Sequence, residues 1–158
     1  DVAVNMVELA ERTRRTFEQE AADKRIAFEV EVDRSLPLVD SGEDLLEKVM
    51  ENLVSNAIKY TPEGGEVTVR IAHGGEDEVL ILVRDSGIGI PADEQDKLFR
   101  EFFRASNAKR HTADGSGLGL ALVKKTVERH SGRLNLDSRE GEGTTVEIRL
   151  PIRQEKAA

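Results

Sequence analysis

The chain has 158 residues, 38% of them hydrophobic, with 23 basic and 31 acidic side chains for a formal charge of -8, and no cysteine. That length fits one domain with a real core, because domains cluster at roughly 100 to 150 residues, and the acidic balance argues against nucleic acid or anionic lipid as a general partner, since both select basic surface. Without cysteine there can be no disulfide and no cysteine metal site, so a reducing, cytoplasmic setting is expected; no apolar run approaches the roughly 18 residues of a membrane helix, and a start at Asp1 without methionine or signal peptide suits a fragment of a longer protein.

Val4, Val7, Ala10, Phe17 and Ala21 fall at helical spacing in a charged background, which predicts an amphipathic helix over residues 4 to 24. IAFEVEVD, residues 26 to 33, alternates apolar with polar and reads as a half-buried strand, ended by SLP. Ser41 and Asp44 resemble a capping box for a second helix, in which Leu45, Leu46, Val49, Met50, Leu53, Val54, Ala57 and Ile58 form one apolar stripe reaching to about Tyr60. Thr61, Pro62, Gly64 and Gly65 stop it. EVTVRIAH and EVLILVRD then flank a Gly-Gly-Glu-Asp turn as an antiparallel hairpin.

Pro91 suits the first position of a short helix, PADEQDKLFREFF. RASNAKRHTADGS, residues 104 to 116, carries no large apolar side chain and is expected to be a mobile loop. Residues 117 to 130 resume helical periodicity, and RLNLDS and TTVEIRLP make a last hairpin around REGEG. This order predicts an α+β fold: a two-layer sandwich in which helices cover one face of a mixed, mostly antiparallel sheet of about five strands.

Three glycine clusters, at Gly87 and Gly89, at Gly115, Gly117 and Gly119, and at Gly141 and Gly143, admit close approach of backbone N-H groups to phosphates as well as ordinary turns. The P-loop pattern is missing. Gly87, Gly89 and Ala92 match a dinucleotide fingerprint, but that pattern needs a parallel βαβ unit, which the following polar segment does not supply. On the second helix Asn52 and Asn56 lie four apart with Lys59 and Tyr60 beyond them, along one edge of an apolar stripe. Amides there need partners: either a hard cation such as magnesium with a phosphate behind it, or local backbone contacts.

In this order and at these spacings, ENLVSNAIKYTPEGG, DSGIGIP, LFREFFR, GSGLGLALVKK and GEGTTVEIRLP resemble the five motifs of the catalytic, ATP-binding domain of bacterial two-component sensor histidine kinases. The resemblance covers nearly the whole chain and implies the Bergerat ATP-binding fold. It implies that Asp85 accepts a hydrogen bond from the adenine amino group while Gly87 and Gly89 let the chain pass beside the base. Asn56 is implied to ligate Mg2+ with Asn52 in support, and Lys59 and Tyr60 to face the phosphates of ATP. Phe99, with Phe102 or Phe103, is implied to anchor a lid over about residues 104–116, Arg104 to reach the γ-phosphate, the backbone of Gly115, Gly117, Leu118 and Gly119 to hold the triphosphate, and Thr144 or Thr145 to lie near the adenine.

Asn52, Lys59 and Arg104 are thus the implied catalytic set. Relatives that hydrolyse ATP carry a glutamate at the position of Asn52, so the resemblance favours phosphoryl transfer over hydrolysis. The family's acceptor histidine is followed by an acidic residue, whereas His73, His111 and His130 precede Gly74, Thr112 and Ser131. The domain is therefore expected to be monomeric, to phosphorylate a histidine on a separate dimerisation domain that then serves a response regulator, and to have no direct contact with membrane or nucleic acid. A serine kinase of the anti-sigma type, or a degenerate interaction module, are the alternatives of the same fold.

Overall fold

The computed structural model describes residues 3–40, 43–99, 105 and 119–152. Its first helix, α1 (Met6–Asp23), starts two residues later than the pattern of apolar residues suggested, because Asn5 caps it: Asn5 Oδ1 accepts from the amides of Val7 at 3.0 Å and Glu8 at 3.2 Å. Counting from that cap turns Met6, Leu9, Ala10, Thr13, Phe17 and Ala21 inward and leaves Val7 only half-buried. Val4 is buried too, but in a two-residue strand, β1 (Ala3–Val4), which pairs antiparallel with β3 (Val39–Asp40). Neither short strand shows in the sequence, since two residues carry no periodicity.

The helix ends in a capping turn: the amide of Ile26 donates to Ala21 O at 2.8 Å, that of Arg25 to Ala22 O at 3.0 Å, and Arg25 takes a left-handed φ of 59°. The chain enters β2 (Ala27–Val32) from there. Helix α2 (Glu43–Lys59) then buries Leu46, Val49, Met50, Leu53, Val54, Ala57 and Ile58, so the predicted stripe holds with only Leu45 half-exposed. The proposed Ser41–Asp44 capping box falls on Ser41, outside the described residues.

Strands β4 (Glu66–His73) and β5 (Glu78–Asp85) form the expected hairpin, closed by the amide of Gly74 on Glu78 O at 2.9 Å. A 3-10 helix (Ala92–Lys97), helix α3 (Gly119–Arg129), β6 (Arg133–Arg139) and β7 (Gly143–Pro151) complete the order. The short helix differs from expectation. Ala92–Lys97 buries no residue and so has no apolar stripe to hold an α-helical turn against the core; Pro91 precedes it as the N-cap instead of opening it.

Five strands make one sheet in the order β2-β4-β5-β7-β6, with β2 parallel to β4 and every other pair antiparallel. The core lies between one face of this sheet and the helices: Val67, Val69, Ile71, Val79, Ile81, Val83, Val146, Ile148 and Leu150 point into it, alternating with half-exposed or exposed neighbours. Because the turn after β5 lies between antiparallel neighbours, the Gly87–Ala92 stretch is no βαβ dinucleotide loop. Among the described residues no helix is long and apolar enough to cross a membrane.

Candidate functional site

The C-terminal end of α2 meets the turn that follows β5, and the last carbonyls of α2 show how. Ala57 O accepts from the hydroxyl of the fully buried Thr61 at 2.6 Å, Ile58 O from the amide of Thr61 at 3.3 Å, and both Ile58 O and Lys59 O from the ammonium of Lys24 at 2.8 and 2.9 Å. Tyr60 O accepts from the amide of Ile88 at 3.0 Å. No carbonyl of this helix end is left to water alone, and its last two side chains lie together, with Lys59 Nζ 5.5 Å from the centre of the Tyr60 ring.

Asp85 ends β5 opposite Thr144 of β7. Its Oδ1 accepts from the amide of Gly87 at 2.9 Å and from that of Thr144 at 3.2 Å, which fixes the carboxylate plane; among the described residues Oδ2 accepts none. Burial raises the Asp85 pKa from 3.8 to about 6, against the pull of the two amides. The result is a half-buried carboxylate with one oxygen saturated and the other available to a donor.

The glycines serve this turn through the protein's own backbone. A Cβ on Gly87 would overlap Tyr60 O and sit 2.8 Å from Asp85 Oδ1, so the missing side chain lets the turn close on α2 and lets the carboxylate fold back onto the Gly87 amide. Gly89, at φ 67°, lies so close to Arg139 that a Cβ would overlap its carbonyl, while the neighbouring Ile88 O accepts from the amide of Gly141 at 2.7 Å. The turn after β5 is thus docked on the β6–β7 turn.

Ser138, nine-tenths buried on β6, locks that docking. Its hydroxyl accepts from the amide of Ile90 at 2.9 Å and lies 3.1 Å from Gly143 O and 2.7 Å from Thr144 Oγ1; donation to Gly143 O and acceptance from Thr144 satisfies all three contacts. Gln95 of the 3-10 helix donates from Nε2 to Ile90 O at 3.0 Å and Ser138 O at 2.8 Å. A second apolar cluster, Leu98 and Ala105 with Tyr60, Ile88, Ile90, Phe99, Leu120 and Leu136 packed around them, seals this end of the sheet.

The family of histidine kinase-, DNA gyrase B- and HSP90-like ATPases matches residues 41–154. The chain belongs to that family. It is 43% identical over 132 residues to the sensor histidine kinase WalK of Bacillus subtilis (strain 168), an alignment that takes in 80% of this chain and 22% of that protein. In structure it is similar to the mycobacterial sensor histidine kinase MprB, with 34% identity, a TM-score of 0.82 and coverage of 95% of this chain and 97% of the other. It is also similar to the histidine kinase ThkA in its complex with the response regulator protein TrrA, at 27% identity and a TM-score of 0.80, covering 99% of this chain and 43% of that one. The chain spans about a fifth of the length of WalK, and its fold is that of the histidine kinase catalytic domains.

Against that frame of a histidine kinase catalytic domain, the expected site residues divide into three groups. Asp85, Gly87, Gly89 and Thr144 come together in one hydrogen-bonded turn, while Thr145 pairs with Arg84, one residue away from Asp85 and on the opposite face. Asn52, Asn56, Lys59 and Tyr60 share α2 and its last turn, all half-buried. Phe99 packs beside Leu98 with Lys124 Nζ 5.0 Å from its ring centre.

Gly119 begins α3. Phe102, Phe103, Arg104, Gly115, Gly117 and Leu118 lie outside the described residues, as does the expected loop apart from Ala105, which is buried beside Leu98. His73 ends β4 and His130 follows α3, as the sequence suggested. Lys24, Thr61, Gln95 and Ser138 were missed. Only Thr61, directly after the helix, had a local signal; each of the others has at least one backbone partner dozens of residues away.

Proposed function

We propose that this domain binds ATP with magnesium and transfers the γ-phosphoryl group to a histidine on a separate dimerisation domain of its kinase, which then passes it to a response regulator. The observation that carries the reading is Asp85 Oδ2, which accepts no hydrogen bond among the described residues and is held at the end of β5 by amide bonds to Oδ1. An acceptor in that position suits the exocyclic amino donor of adenine and repels the keto oxygen that guanine carries there. Membership in an ATPase family supports the same ligand.

Lys59 and Tyr60 follow Asn52 and Asn56 toward the same end of α2, so the base-reading group and a cation for phosphate lie on two elements joined by the bond from the Ile88 amide to Tyr60 O. Among the described residues no cluster of three or more His, Cys, Asp or Glu could hold a metal. The available donors are amide oxygens, and these fit magnesium, which keeps several waters and takes its charge partners from the phosphates. Asn56, supported by Asn52, would hold the ion; when bound it would neutralise charge on the transferring group. Asn52 cannot act as a base toward water, so the chain's own residues orient ATP and leave attack to an imidazole, whose N–P bond forms as the bond to ADP breaks.

On this reading the domain works in the cytoplasm, as a single copy, on an acceptor outside its own fold. Incubation with γ-labelled Mg-ATP and the helical histidine domain of its kinase tests the reading. Label on the partner that is lost in acid and kept in base is expected for phosphohistidine. Acid-stable label on serine, or ATP consumption without a labelled partner, would contradict it.

A further inference from the structure

Lys24 is the C-cap residue of α1, in a stretch whose charges the sequence presents as solvated, yet its ammonium reaches across to α2. Nζ donates to Ile58 O at 2.8 Å and to Lys59 O at 2.9 Å, and among the described residues it makes no ion pair. Burial lowers its pKa from the ordinary lysine value, with Glu20 acting in the opposite direction. A charge partly withdrawn from water has a desolvation cost, offset here by two carbonyls at the negative end of a helix.

The contact is part of a wider brace. The amide of Gly64 donates to Arg25 O at 3.2 Å and that of Ala27 to Gly65 O at 3.0 Å, so the chain directly after Lys24 is tied to the loop after α2. Within the clamped turn Ile58 O also receives the Thr61 amide, at 3.3 Å, and Lys59 O receives the Lys24 ammonium. Lys59 is the residue whose ammonium stands over Tyr60, and the next carbonyl, Tyr60 O, holds the turn that carries Asp85.

We propose that Lys24 is a positioning residue for the phosphate-facing end of the nucleotide site: its ammonium clamps the last turn of α2 so that Lys59 and Tyr60 are presented in one orientation. The inference rests on the ATP-binding reading above. Loss of the clamp removes the ammonium from Ile58 O and Lys59 O and leaves Asp85 with both its amide donors, so the phosphate-dependent part of affinity suffers and the base-dependent part does not.

Titration calorimetry of the whole domain with Mg-ATP and, separately, with adenosine tests this in Lys24→Met and Lys24→Arg. Lys24→Met keeps the aliphatic stem and is expected to weaken ATP binding about tenfold, the size of one lost charged hydrogen bond, with adenosine changed by less than about twofold. Lys24→Arg, which restores charge and donors, is expected to recover most of the ATP affinity. Equal weakening for both ligands would reduce Lys24 to general stability and overturn the proposal, as would unchanged ATP affinity. No ATP binding by the unaltered domain would instead overturn the functional reading. Hydrogen exchange at the amides of Tyr60 and Thr61 needs no nucleotide and still tests the clamp: faster exchange in Lys24→Met supports it, and unchanged exchange overturns it.

Discussion

Acidification should weaken adenine binding through one carboxyl group. Asp85 has its pKa raised from 3.8 to about 6 by burial, and its Oδ1 is saturated by the amides of Gly87 and Thr144. A proton arriving at this group therefore settles on Oδ2, converting the one available acceptor into a donor that opposes the adenine amino group. At about pH 5 roughly one carboxyl in eleven is ionised, and because an apparent dissociation constant scales inversely with the competent fraction, affinity falls about tenfold from its value near pH 8. Adenosine is the ligand of choice, since it has no phosphate that titrates in this range, and its dissociation constant can be followed by NMR titration. Asp85→Asn should bind weakly at every pH. Equal adenosine affinity near pH 5 and near pH 8 would refute the assignment of Oδ2 as the acceptor.

The same group predicts the opposite trend for the empty domain. Between 3.8 and about 6 the folded state holds a proton that the unfolded chain has released, so stability falls as pH rises through that window, by about 3 kcal/mol in all. Asparagine keeps an oxygen for the two amides and carries no charge. Asp85→Asn should accordingly raise the melting temperature of the ligand-free domain at neutral pH, even as it weakens nucleotide binding, and flatten the pH dependence in this range.

Gly89→Ala should destabilise by more than about 2 kcal/mol, because a left-handed φ of 67° and overlap with the Arg139 carbonyl act together; urea denaturation showing a change below about 0.5 kcal/mol would contradict the docking of the two turns. Ser138→Ala removes the acceptor of the Ile90 amide and should cost about 1 to 3 kcal/mol by the same measurement, with Ser138→Thr closer to the unaltered domain if the strand admits the methyl group.

How much of this was legible in the sequence depended on the range of the interactions involved. The α2 stripe and the β4–β5 hairpin rest on periodicity within one element, and both were read correctly. The face of α1 was legible at Ala10, Phe17 and Ala21 but not at its start, where Asn5 caps the helix and Val7 is half-buried, and β1 and β3 were invisible because they pair residues about 36 apart in the chain. At the site, Asp85 and Thr144 were legible through the family's motifs, but the physical role of Gly87 was not: it makes room for the protein's own Tyr60 carbonyl and Asp85 carboxylate. Ser138 and Lys24 fell to the same limit. Each satisfies backbone groups dozens of residues away, Ser138 at Ile90 and Lys24 at Ile58 and Lys59, and a polar side chain with a remote partner resembles any solvated one until the chain is folded.

The central claim is that Asp85 reads adenine, and the most direct measurement is calorimetric titration of the domain with a non-hydrolysable ATP analogue and magnesium, beside the matching GTP analogue and Asp85→Asn. Saturable binding of the adenine nucleotide alone, lost in Asp85→Asn, is the predicted result. Comparable binding of the guanine nucleotide, or adenine binding that survives the substitution, would contradict it.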